Sequence, residues 1–140
     1  MKEKRNLHLK VQELCDCYAT NDPLKEMSKI KSDGDKEEAA LKWLALTALH
    51  GVNNNAKEVT ITRTADGAVE VRARYRESEL PSPGAEVGAR IMEAVREITH
   101  IEGRKGKSPL ALGIRNDSIE LKVKMKEKEN RTEVTIGFPD

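Results

Sequence analysis

The chain has 140 residues, enough for one domain with a real core but not two. Charged residues make up 35% and aromatics 3%, which argues against base-stacking nucleic-acid modules, because those rely on aromatic platforms. The formal net charge is +1, so any basic patch must come from segregating charges onto one face.

In chain order, Leu7, Val11, Leu14 and Tyr18 form one helical stripe from about Asn6 to Tyr18. Cys15 and Cys17 are too close for a structural disulfide, and a reduced cytoplasmic protein is the simpler reading. Cys15, Cys17 and His8 lack the second ligand pair that a tetrahedral metal site needs, so no metal or cofactor is expected. Asp22-Pro23 reads as a helix start, with Met27 and Ile30 on one side of a short helix. Asp35 with Glu38 is a capping-box-like start for a third helix through Leu41, Leu44, Ala45, Ala48 and Leu49. Trp43 is expected at its flank, His50 in its last turn favoured as a cation, and Gly51 just past its end.

Val59 and Ile61 mark a first strand, and Asp66-Gly67 a turn into Val69 to Arg76. There Val69, Val71, Ala73 and Tyr75 face inward, while Glu70, Arg72, Arg74 and Arg76 face outward. Leu80 to Gly84 ends that strand and is expected to cap a helix at Ser82. Val87, Ile91, Ala94, Val95 and Ile98 form that helix's stripe, and Gly103 ends it. Gly103 to Lys107 reads as a basic, glycine-punctuated loop that offers an anion backbone N–H groups. A plain helix-to-strand turn explains it as well. Strands at Leu110 to Ile114, Ile119 to Lys126 and Thr132 to Phe138 close the chain, with Lys122, Lys124 and Lys126 outward.

The predicted fold is α+β: a helical arm over residues 1–50, then a ββαβββ antiparallel-sheet domain over 51–140, together one compact unit. Its predicted core is Val71, Tyr75, Ile91, Val95, Leu121, Val123 and Ile136. No stretch is long and apolar enough to span a membrane, and the basic start at Met1 to Arg5 leads into an amphipathic segment rather than a secretory signal.

Ala48-Leu49-His50-Gly51, the strand Val59-Thr60-Ile61 and the run Val71 to Arg76 resemble the N-terminal accessory domain of type II secretion and type IV pilus ATPases. Ala89-Arg90-Ile91, Ile101 to Lys105 and Ile119 to Val123 follow the same order, over roughly the last two-thirds of the chain. The resemblance implies a stand-alone accessory domain, a motor ATPase as partner, and Arg74, Arg76 and Arg104 at the positions that reach ATP phosphates in that family. Ser78-Glu79 stand where the family has Asp-Gly, and Lys107-Ser108-Pro109 replace its Pro-Gln-Asp-Gly. The sequence contains no Gly-x-x-x-x-Gly-Lys-Ser/Thr phosphate loop and no catalytic constellation, so no enzymatic activity is expected.

The candidate binding residues are Arg72, Arg74, Arg76, Arg104, Lys105, Lys122 and Lys124, with Lys126 in the same row. One basic sheet face made of the Arg72, Arg74, Arg76 and Lys122, Lys124, Lys126 rows would bind a protein partner or, alternatively, a nucleotide or RNA. A solvated face whose charges pair with Glu70, Glu120 and Glu133 accounts for the same alternation.

Overall fold

A computed structural model describes residues 7–18, 22–30, 34–54, 56–74, 78–80, 82–101, 103–114 and 117–139. Helix α1 spans Leu7–Cys17, α2 Pro23–Met27, α3 Lys36–Asn53 and α4 Ala85–Thr99. The strands are β1 Glu58–Thr64, β2 Val69–Arg74, β3 Ser78–Leu80, β4 Lys105–Ile114, β5 Asp117–Lys128 and β6 Arg131–Gly137. They form one antiparallel sheet in the order β3-β2-β1-β6-β5-β4. The α+β plan holds, with β3 as a short additional strand on one edge.

Strand alternation divides the sheet into two faces. Val59, Ile61, Val71, Ala73, Leu121, Val123, Met125, Val134 and Ile136 are buried in the same core cluster as residues of all four helices. That core contains Val71, Ile91, Val95, Leu121, Val123 and Ile136 as predicted; Tyr75 lies outside the described residues. Among the described residues, no helix is long and apolar enough to cross a membrane.

Several local expectations are corrected. The boundary after residue 50 falls inside α3, which runs on to Asn53 with Asn54 as its cap. Gly51 is therefore a helical residue, and the reason is packing: a Cβ there would overlap the Phe138 ring. Trp43 is fully buried rather than at a flank, because α3 is covered almost all round from Ala39 to Gly51. Asp35 caps α3 as expected, accepting from the Glu38 N–H at 3.1 Å.

At α4 the N-cap is Gly84, not Ser82. The Ser82 hydroxyl instead donates to the Val69 carbonyl at 2.8 Å and accepts from the Gly84 N–H at 3.2 Å, tying the helix entry to β2. The helix ends at Thr99, with His100 left-handed, before Gly103 is reached. Arg96 then binds the loop to the sheet, donating to the Gly103 carbonyl at 2.8 Å and to Glu127 at 2.9 Å.

Candidate functional site: the open face of the sheet

The outward positions of the strands build the site. Register places Arg72, Thr60, Thr135, Lys124 and Lys107 in one row across β2-β1-β6-β5-β4. The neighbouring rows are Glu70, Thr62, Glu133, Lys126, Lys105 and Arg74, Glu58, Gly137, Lys122, Pro109. Arg72 and the β5 lysines thus share a face but are not adjacent. Three strand spacings separate them, roughly 14 Å, with threonines between.

The two ends of that face differ in chemistry. Arg72 is exposed and donates to Glu70 on its own strand at 3.0 Å. The β4–β5 end carries Lys105, Lys107, Lys122, Lys124 and Lys126, all exposed. Among the described residues their side chains make no ion pair or hydrogen bond. Lys105 lies directly opposite Lys126, and Lys107 directly opposite Lys124. Lys128 faces Arg131 in the same way across β5–β6. Like charges in register across antiparallel strands are destabilising, each pair by ~0.2–1 kcal/mol. The expected compensation is sparse: Glu133 neighbours Lys126, Glu120 stands opposite Ala111, and Glu70 is engaged by Arg72.

Other sequence candidates fall elsewhere. Lys105 and Lys107 belong to β4 rather than to a loop, so the backbone of Gly103 to Lys107 is not a free anion cradle. Only Gly103-Arg104 precede the strand; the Arg104 side chain is exposed, and its carbonyl accepts from the Glu127 N–H. The backbone of Arg74 lies in β2 opposite Glu58, while its side chain and all of Arg76 lie outside the described residues. The sequence reads Lys105 and Lys107 as loop residues; their pairing with β5 places them in the rows of the sheet.

Among the described residues the face is free of aromatic side chains. Trp43 is buried in α3, Tyr18 lies under Lys42 with its ring centroid 5.5 Å from the amine, and Phe138 packs on Gly51. Among the described residues no three His, Cys, Asp or Glu side chains converge as a metal site. Cys15 is buried and Cys17 exposed, both as free thiols. No protein-family model matches the chain, and neither does any curated protein.

Proposed function

We propose that this chain is a non-enzymatic interaction module whose open sheet face docks an acidic surface of a protein partner. The observation that carries the reading is the in-register lysine rows Lys105/Lys126 and Lys107/Lys124, which cost stability and, apart from Glu133 opposite Lys126, have no acid in register with them. A partner carboxylate cluster would satisfy them, and electrostatic complementarity of this kind supplies specificity and association rate. The β-branched strip of Thr60, Thr62 and Thr135 beside the lysines offers small side chains to a broad protein contact. Free thiols at Cys15 and Cys17 support a reducing, cytoplasmic setting. The likeness of residues 71–76 to secretion and pilus ATPase accessory domains makes a motor ATPase the first partner to test.

The second reading, a phosphate-ligand module for nucleotide or RNA, rests on the same lysines. The missing stacking platform weighs against it. Fluorescence anisotropy with a labelled acidic peptide and with single-stranded RNA of matched charge separates the two. At physiological ionic strength the peptide should bind, and Lys122→Glu should weaken it. Micromolar RNA binding at that ionic strength, falling steeply with salt and lost in the same variant, would put the phosphate reading first.

A further inference from the structure

The two edges of the sheet are unequal: β3 has 3 residues and β4 has 10. An exposed strand of that length is a template for another strand unless something blocks it. Here the block is a helix. The Gln12 carboxamide of α1 accepts from the Gly113 N–H at 2.6 Å and donates to the Gly113 carbonyl at 2.8 Å. These are the two bonds that a neighbouring strand would make with that residue. His8 Nε2 donates to the Ala111 carbonyl at 2.6 Å, again two residues along. The alternation that turns Gly113 and Ala111 outward also turns Pro109, Lys107 and Lys105 outward. Pro109 has no N–H to offer there, a second edge-blunting device.

The grip of α1 is limited. Val11 and Cys15 are buried and Leu14 and Tyr18 half-buried, while His8, Leu9 and Lys10 are exposed. We propose that α1 is a removable cover of the β4 edge, and that an extended segment of the partner replaces it as a seventh strand. The side chains of β4 define that segment's pattern. Lys105 and Lys107 lie on the open face, beside Lys124 and Lys126, and Leu110 and Leu112 on the buried face. The incoming strand therefore alternates acidic with apolar residues. Its acidic character rests on the function proposed above; the exchange of α1 for a strand rests on Gln12, His8 and Gly113.

The test is anisotropy with a labelled peptide of alternating Val and Glu, and with two copies N-methylated on one or the other set of alternate residues. Strand addition needs the N–H groups of one set only. One methylated copy should bind at least about tenfold more weakly than the parent, and the other should match it. The double variant His8→Ala with Gln12→Ala should bind the parent peptide several-fold more tightly. Amide exchange at Gly113 should be faster in the free variant and slow again when peptide is bound. If the double variant melts early, Gln12→Glu, which loses the donor to the Gly113 carbonyl, should give the same gain. Equal binding of all three peptides to wild type and variants would overturn strand addition and leave face docking standing. No binding of any peptide, at any ionic strength, would overturn both.

Discussion

His50 and the two cysteines show how far residue type alone predicts behaviour. His50 is 2% exposed, and Asn54 donates to its carbonyl at 2.9 Å and lies 3.2 Å from its Nδ1. Burial lowers its pKa below the ordinary 6.5, opposed in part by the charge of Asp22. A helix C-terminus favours a cation, but desolvation outweighs that preference here. Between the lowered value and 6.5 the unfolded chain binds more protons than the folded one, so stability is full above about pH 6.5 and declines below it. The urea midpoint should fall between about pH 7.5 and about pH 5.5, and His50→Asn should flatten that decline; an unchanged slope would show that His50 is not its source. Burial, aided by Asp16, pushes the Cys15 thiol up to about 12, while Cys17 is exposed. A thiol reagent at neutral pH should therefore modify Cys17 quickly and Cys15 only when α1 is released or the chain unfolds. Rapid modification of both would contradict the packing of α1. The depth of His50 was not legible beforehand, because a helix buried almost all round, such as α3 from Ala39 to Gly51, has no polar stripe to mark it.

Elements were legible wherever a period was present. The alternation of Val59, Ile61, Val71 and Ala73, and of Leu121, Val123 and Met125, is the burial pattern observed. The stripe of Val87, Ile91, Ala94 and Val95 is likewise the buried side of α4. The first half of β4 was not legible. Lys105-Gly106-Lys107-Ser108-Pro109 carries no apolar alternation and two poor strand formers, and it is strand because β5 pairs with it residue by residue. Gly51 was misplaced for a comparable reason, since the ring it accommodates lies 87 residues away at Phe138. That contact makes a testable pair. Gly51→Ala gains about 1 kcal/mol of helix propensity but must displace the ring, so a net loss of ~1–2 kcal/mol is expected. In a Phe138→Ala background the same substitution should be neutral or stabilising. Additive effects in urea denaturation would show that the two residues do not share this contact.

For the whole molecule, the sheet divides its work between its faces. The buried face joins both sheet halves and all four helices in one apolar cluster, and its residues were named from the sequence with little loss. On the open face the sequence showed which residues point outward but not which strands lie side by side. The order β1-β6-β5-β4 sets Lys124 against Lys107 and leaves Arg72 three strands away, and only pairing could reveal it. A surface shaped for stability alone would place opposite charges there. Lys124→Glu replaces the like-charge pair with Lys107 by an attractive one and should raise the unfolding free energy from urea denaturation slightly, by ~0.2–1 kcal/mol. The decisive measurement is the affinity of this variant, folded and at physiological ionic strength, for an acidic peptide that binds the wild type. A loss of about tenfold or more, ~1.4 kcal/mol, is expected if these lysines form a docking surface. Undiminished affinity in a folded Lys124→Glu protein would contradict it.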